Sequence, residues 1–571
     1  MTPTTETPGR RARWMAPVIG IMACLSGGAY AAEAPEPATV LDPVFVEAST
    51  GNPWQLVSSP GFEILSRCPL TFNATFARAL QKAEAARLAF LPERFWADLP
   101  APIEVILYNR EPEKEPGLLQ GKPIDLTWGA EDAALIGSEG VQQTHPMIEG
   151  DGDTFVDCAN YHDVLQAGGD FCVDVDSSIR LANRLPRLPL WFISGVVGPN
   201  GLYVNRVIKS GYAGDTMVLP NALWTTSAET VALQEELRKV RKDGGTVRPR
   251  LLLPVSRLFS GQPDPGDAAL WNAETALFVR WGLYKSPDRQ AFLDFVDQAS
   301  RHPVNEEMFR KCLGLGYDEV QAQLLAYLPI AASESIVVSL DIPPEDLPDT
   351  RGASASEVAR ILGDWGRLEG RASGPEITDF QEESLRQADK QFQKAILSRE
   401  NDPSFLAAYG LYALQAGDSG LARKALEEAT SRGVIRPRAY VELARIRLED
   451  ALPTIPGGFG DLNEKDFGEI KALLTTARVQ MPSLIMTYTL LARVLEHAPT
   501  APSDEDLYVL DRSLELFPGD ASLAYKVATL FRRLGRFDKA AAIIENSRPF
   551  AESEHDKRLL ASFPVEKVAS K

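Results

Sequence analysis

The pattern of hydrophobic and polar positions predicts a strand-containing region in the first half of the chain. Short apolar runs bounded by Gly, Pro and Asp are typical of strands, and the clearest are Phe62–Ser66 and Ile103–Tyr108. Phe76, Leu80 and Phe90 fall on one face of a helix between these two runs. Weaker runs predict strands at 155–158, 171–175 and 335–340, and a hairpin formed by 201–207 and Thr216–Leu219.

Helical periodicity dominates the second half. Residues 271–283 are apolar on nearly all sides, which predicts a buried helix, and 292–299 show apolar positions at i, i+3, i+4 and i+7. A Pro-rich and acidic stretch at 343–348 indicates a linker, and 356–370 begins an almost wholly helical pattern. The fold class we expect is an α+β domain, with mixed strands and then helices, followed by an all-α solenoid of helical hairpins.

Two C-terminal stretches share one spacing of large, small and glycine residues. The first holds Leu406, Tyr409, Gly410, Ala413, Gly417, Ala422, Leu426 and Ala429, and the second holds Ala524, Val527, Ala528, Phe531, Gly535, Ala540, Ile544 and Ser547. This spacing resembles the tetratricopeptide repeat (TPR), a helix–turn–helix unit of about 34 residues. Looser copies cover 440–477, with an insertion at 453–462, and 488–514, and an incomplete unit precedes them at 380–397.

The TPR resemblance implies a concave face that binds a protein or peptide partner. The candidate contact residues on that face are Tyr409, Ala413, Tyr440, Tyr488 and Phe531. The alternative is a helical spacer or dimerisation arm that binds no peptide. The oligomeric state is left open.

The first 31 residues are typical of a signal peptide. Arg10, Arg11 and Arg13 precede an apolar run at 15–25 and an Ala-x-Ala site that ends at Ala31. The run is too short for an ordinary membrane-spanning helix, and no later stretch predicts one. A lipid anchor at Cys24 is a weaker alternative. We therefore expect an exported protein, periplasmic or secreted, in a bacterial cell envelope.

These patterns divide the chain into five segments. We expect a signal peptide at 1–31, a Pro- and Ala-rich segment at 32–60, an α+β domain at 61–341, a linker with a helix at 342–377, and TPR-like repeats at 378–571. The chain has 59 Lys and Arg against 78 Asp and Glu, a net charge of −19, which argues against a nucleic-acid partner.

Four cysteines remain after removal of the signal peptide: Cys68, Cys158, Cys172 and Cys312. An even number in an oxidising compartment fits two disulfide bonds, whose pairing the sequence does not give. Buried free thiols are the alternative. No Cys-x-x-Cys pair is present, so the sequence does not indicate a zinc ribbon or a thioredoxin-like site.

The α+β region resembles the gluzincin-type metallopeptidases of the peptidase MA group over roughly residues 60–330. The segment LPLWFISG at 188–195 is similar to the family's "lPxWfxEG" segment, and the helix at 271–283 and the segment at 309–328 follow in the family's order. The resemblance implies a helix carrying HExxH, whose histidines bind zinc and whose glutamate is the general base. The glutamate of "WfxEG" would be the third zinc ligand.

The sequence departs from the family at each of these positions. None of its five histidines is followed by Glu, and the helix expected at 177–185 carries Arg180 and Arg184 instead. Ser194 stands at the position of the third ligand, and Trp191 is expected in the core. Glu274 is a candidate remnant polar group, or a side chain bonded to nearby backbone or to Arg280. We therefore expect no catalytic residues, no metal and no cofactor, that is, a pseudopeptidase.

The segment 149–179 holds eight acidic residues and no Lys or Arg. A solvated loop is the ordinary interpretation, and a calcium loop at Asp151, Asp153 and Asp157 is a weaker one. Together with His162 and Asp163, the segment supports an alternative function, an envelope hydrolase with unrecognised catalytic residues. The leading hypothesis is an inactive peptidase-like scaffold whose repeats mediate protein–protein interaction, and a structural subunit of an envelope assembly is a third.

Overall fold

The computed structural model describes residues 53–59, 61–67, 69–99, 102–108, 154–157, 180–181, 183–198, 201, 216–219, 252–259, 266–341, 348–372, 379–397, 402–453, 457–480, 483–551 and 553–564. The strands are β1 (Gln55–Ser59), β2 (Phe62–Ser66), β3 (Ile103–Tyr108), β4 (Thr154–Asp157), β5 (Thr216–Leu219), β6 (Ile336–Ser339) and β7 (Asp349–Gly352). Five of them form a sheet in the order β4-β3-β2-β1-β7, and β5 pairs with β6.

The five-stranded sheet mixes parallel and antiparallel pairs. Strands β2, β3 and β4 are parallel neighbours, whereas β1 is antiparallel to both β2 and β7. Val57 and Ile64 belong to the main core, and their chain neighbours Leu56 and Leu65 pack in a second cluster with a later helix. Because successive side chains of a strand point to opposite faces, both faces of the sheet are covered.

Seven helices belong to the α+β region among the described residues: α1 (Leu70–Phe90), α2 (Leu190–Val197), α3 (Val255–Leu258), α4 (Ala268–Tyr284), α5 (Arg289–Ala299), α6 (Glu306–Leu313) and α7 (Tyr317–Ala331). The predicted buried helix corresponds to α4, which is buried along most of its length. Helices α2, α5 and α7 pack on α4. This arrangement places α4 at the centre of the main core.

Eleven further helices follow: α8 (Ala355–Ala372), α9 (Asp379–Leu397), α10 (Pro403–Gln415), α11 (Ser419–Ser431), α12 (Pro437–Ala451), α13 (Glu464–Val479), α14 (Ile485–Glu496), α15 (Asp504–Leu516), α16 (Ala521–Arg533), α17 (Phe537–Ser547) and α18 (Glu554–Ala561). The first ten pack in consecutive pairs as five helical hairpins, and the first helix of each hairpin also packs on the first helix of the next. The expected order, a region that contains strands followed by stacked helical hairpins, is therefore confirmed.

The structure differs from the predicted segment boundaries at both ends of the α+β region. Strand β1 lies in the segment expected to be Pro- and Ala-rich, and β7, in the expected linker, pairs with it. Helix α8, also in the expected linker, packs along α9 as the first hairpin. Strands of four and five residues are too short to show a clear hydrophobic period in the sequence. They are recognised only in the structure, from their hydrogen bonds to neighbouring strands.

Two smaller predictions also differ from the structure. Strand β5 pairs with β6 from a distant part of the chain, and most of 201–207, the hairpin partner predicted for β5, lies outside the described residues. The helix predicted at 177–185 does not extend to its predicted end, because Asn183–Leu185 are not helical. Leu185 precedes Pro186, and the residue before a proline is disfavoured from the helical region.

The sheet and the first hairpin share a buried ionic contact. Arg360 of α8 donates to Oε2 of Glu63 at 2.5 Å and also pairs with Glu104. Glu63 and Glu104 are register partners on β2 and β3, so one guanidinium bridges two adjacent carboxylates. Leu56 and Leu65 pack beside them against Ile361, Leu362 and Trp365.

The structure also bears on whether the chain crosses a membrane. Among the described residues, no helix combines the length and the apolar character that crossing requires.

Candidate functional site

Helices α2 and α4 meet closely at Ser194, a residue that the sequence analysis singled out. Ser194 donates from Oγ to Oδ1 of Asn272 at 2.9 Å. Gly195 permits the approach, because a methyl group there would lie 2.6 Å from Cγ2 of Val279 and 2.7 Å from the carbonyl oxygen of Thr275. Ser194 is 6% exposed and is thus a contact residue of the helix pair.

Glu274 is a buried carboxyl group on α4. It is 1% exposed, and Oε2 accepts a hydrogen bond from the backbone N–H of Leu253 at 2.6 Å. The other oxygen, Oε1, is buried and has no hydrogen-bond partner in the part of the chain that the structure describes. Burial raises the pKa of Glu274 to about 8, although the Leu253 bond opposes this. The group is therefore largely protonated near neutral pH.

Trp191 lies inside an aromatic cluster. Its ring centroid is 5.4 Å from that of Phe278 and 5.8 Å from that of Phe295, and Phe259 lies 5.4 Å away. Trp191 is 4% exposed. Trp191, Ser194 and Glu274 are thus brought to one helix pair, where the first two serve packing.

The two arginines occupy different surroundings from that helix pair. Arg180 donates to the carbonyl oxygen of Ala97 at 3.3 Å. Arg184 donates to Ser300 Oγ at 3.0 Å and forms an ion pair with Asp297. Burial opposes ionisation of Asp297, but the hydrogen bond and charge of Arg184 outweigh it and hold the pKa of that carboxyl below its usual range. Both arginines join segments that are distant in sequence.

Most of the cysteines and the predicted acidic-segment residues lie outside the part of the chain that the structure describes. Cys312 is a free, partly exposed thiol on α6. Its candidate disulfide partners lie outside the described residues, so the pairing of the cysteines stays a prediction. Cys68, Cys158, Cys172, His162 and Asp163 lie outside the described residues. Within the described part of the chain, no group of three or more His, Cys, Asp or Glu residues could hold a metal ion.

The residues expected to line a concave binding face are inside the packed hairpins. Their exposed fractions run from 1% to 8%: Tyr409, Ala413, Tyr440, Tyr488 and Phe531. The ring of Tyr409, for example, lies 5.4 Å from that of Phe392 and 6.0 Å from that of Phe405. All five lie on the first helices of hairpins, where the spacing that identified the repeats is a packing pattern. A partner would have to contact other side chains.

One accessible feature of the hairpin surface is a pair of exposed apolar residues. Ile435 is 54% exposed and Val479 is 70% exposed, and each follows or ends the second helix of a hairpin. Gln480 donates from Nε2 to the carbonyl oxygen of Val434 at 3.0 Å, which places the two apolar residues at adjacent hairpin ends. Sequence analysis missed this pair, because isolated apolar residues in connections show no period.

A second accessible feature is a charged cleft of about 270 Å³ between α11, α12 and α13. Arg447 crosses it and donates to Glu427 at 3.0 Å and to Glu469 at 2.7 Å. Asp450, which pairs with Arg423, and Asp466 also line the cleft, so its four carboxylates outnumber its two arginines. The cleft therefore presents net negative charge that its own arginines partly neutralise.

No protein-family model matches the chain, and no curated protein matches it. Among the solved structures that match is the crystal structure of the yeast Tom70, 13% identical, covering 59% of this chain and 74% of that chain with a TM-score of 0.24. A TM-score this low does not show a shared fold. The description of the helical hairpins therefore rests on the contacts between the helices of this chain.

Proposed function

We propose that the protein is an exported scaffold whose helical hairpins, of the TPR type, bind a protein partner in the cell envelope. The observation that carries the proposal is the row of five stacked hairpins, which exposes Ile435 and Val479 at the ends of adjacent hairpins. Stacked hairpins form extended surfaces that are suited to binding other chains. The repeated spacing of small residues supports the TPR assignment, and the N-terminal sequence supports export.

We further propose that the α+β region is an inactive, peptidase-like support. The side chains at the family's ligand positions make contacts of a packing kind: Ser194 bonds to Asn272, and Arg184 pairs with Asp297. Neither a serine held by an asparagine nor a buried guanidinium is a zinc ligand. These contacts support a loss of zinc chemistry in this region.

Capture of partners from an envelope extract tests the binding proposal. The mature chain should recover a partner that the double variant Ile435→Asp with Val479→Asp does not recover, because two new charges would have to be desolvated at the contact. Val337→Asp is the matched control, since Val337 is 66% exposed but lies on β6 of the α+β region. A partner that binds the mature chain, the double variant and Val337→Asp equally would show that Ile435 and Val479 are not part of the binding surface.

Metal analysis of the purified chain tests the second part. We expect no stoichiometric zinc and no peptidase activity that a chelator abolishes. Finding both would overturn the assignment of an inactive support and would leave the binding proposal to its own test.

A further inference from the structure

A short segment, Arg184–Arg187, contacts both the α+β region and the hairpins, and we call it the strap. Its first residue is fixed to the α+β region: Arg184 is 5% exposed, donates from Nε to the carbonyl oxygen of Arg94 at 3.2 Å, and pairs with Asp297 of α5. The Ser300 hydroxyl accepts a third hydrogen bond at 3.0 Å. One buried guanidinium thus binds two separate parts of the α+β region, the segment at Arg94 and the end of α5.

The rest of the strap faces the fourth hairpin. Leu185 packs against the apolar cluster formed by the helical hairpins. Two residues later, the backbone N–H of Arg187 donates to the carbonyl oxygen of Leu516, the last residue of α15, at 3.3 Å. This bond joins positions that are more than 300 residues apart, and it satisfies a carbonyl at a helix end that has no partner within its own helix.

Contacts at two places attach the hairpins to the α+β region within the part of the chain that the structure describes. The first hairpin is attached through Arg360 of α8 and the carboxylates of the sheet, and the fourth through the strap. A stack of hairpins held at one end changes its curvature through small rotations between neighbours. We propose that the strap closes the hairpin row onto the α+β region and thereby fixes the curvature of the partner-binding surface.

Substitutions at Arg184 and Leu185, which hold the strap to the α+β region and to the hairpins respectively, test this proposal in the full mature chain. Leu185→Glu should release the strap from the fourth hairpin, and Arg184→Gln should loosen it at the α+β end. Either change should speed hydrogen exchange about tenfold or more in peptides covering 183–189 and 510–518, because both segments lose the same contact. The radius of gyration from small-angle scattering should rise in both variants.

Arg301→Gln is the matched control. Arg301 lies 3.5 Å from the same Asp297 carboxylate and is 42% exposed. It should leave exchange at 510–518 and the radius of gyration unchanged. If Leu185→Glu fails to fold, Leu185→Ala is measured in the same way.

The proposal is overturned if folded variants at Leu185 and Arg184 keep wild-type exchange at 510–518 and a wild-type radius of gyration. It is also overturned if exchange rises at 183–189 alone, because the strap would then be mobile without holding the hairpins. Neither readout needs a partner, so failure of the strap proposal is distinguishable from failure of the binding proposal.

Discussion

Glu274 is a carboxyl group that folding removes almost completely from water. Its pKa is raised to about 8 from an ordinary value of 4.5, mainly by burial, and a single backbone N–H compensates one of its oxygens. The neutral form is therefore favoured in the folded protein. The unfolded chain ionises the same group at lower pH, so the stability of the fold depends on pH through this residue.

Replacing Glu274 by Gln should remove that dependence. Between about pH 4.5 and 8 the folded protein holds a proton that the unfolded chain has lost, so the contribution of Glu274 to stability falls as the pH rises through this window. Each pH unit of the window corresponds to about 1.4 kcal/mol at most. We expect Glu274→Gln to melt close to wild type at pH 5 and clearly above it at pH 9.

The control is Glu307→Gln, which changes an exposed carboxylate on α6. It should follow the wild-type melting temperature at both pH values. Equal pH dependence of wild type and Glu274→Gln would contradict the assigned protonation of Glu274.

At the scale of elements, α8 is the helix whose role the structure changes most. Its periodicity predicts a helix, but the sequence does not show which helices it packs against. Gly363 of α8 lies so close to α9 that a methyl group there would be 2.4 Å from Cζ of Phe392. Ala359 and Phe392 share a cluster with Phe405 and Tyr409 of α10. Helix α8 is thus a part of the first hairpin.

A chain that ends at residue 377 should consequently be less stable than one that ends at residue 433. The shorter chain keeps α8 but loses α9 to α11 and with them most of this cluster, and each buried large apolar side chain contributes about 1.5–3 kcal/mol. We expect a lower melting temperature, or aggregation, for the shorter chain in circular dichroism and size-exclusion experiments. Both truncations lack Leu516, so the strap contact is absent from each. Equal melting of the two chains would contradict the assignment of α8 to the hairpins.

At the scale of the whole molecule, the sheet is the joint between the two regions. One face covers the main core and the other receives α8, with Arg360 between Glu63 and Glu104. Arg360 is 7% exposed, so little water surrounds its guanidinium, and each of the three charges is stabilised by the opposite charge beside it. Removal of the cation would leave two adjacent carboxylates at this joint without their direct ion-pair partner, although the more exposed Arg351 still interacts with Glu63.

Arg360→Leu should therefore destabilise the protein by about 3–5 kcal/mol, as expected when one partner of a buried ion pair is lost. The triple variant with Glu63→Gln and Glu104→Gln should recover most of the loss, because the uncompensated charges are then absent. Arg351→Gln, which breaks a more exposed pair with Glu357, should cost less than about 1 kcal/mol. These differences in the free energy of unfolding are measurable in urea. An Arg360→Leu protein as stable as Arg351→Gln would contradict the stabilising role of Arg360 at the joint.

The sequence by itself determined the elements that carry a strong local period. Apolar runs predicted the strands Phe62–Ser66 and Ile103–Tyr108 and the buried helix α4, and a repeated spacing predicted the hairpins α10/α11 and α16/α17, because each element buries apolar side chains. The same spacing misplaced the binding face: Tyr440 and Phe531 repeat because they pack, so a repeated position marked the core and not the surface.

The tertiary structure alone decided how distant segments meet. The pairing of β7 with β1, the bridge of Arg360 to two strands, and the bond from Arg187 to Leu516 join residues far apart in the chain. Such contacts leave no period in the sequence, because each depends on a few groups that folding brings together. The attachment of the hairpins to the α+β region follows from these contacts and not from any local pattern.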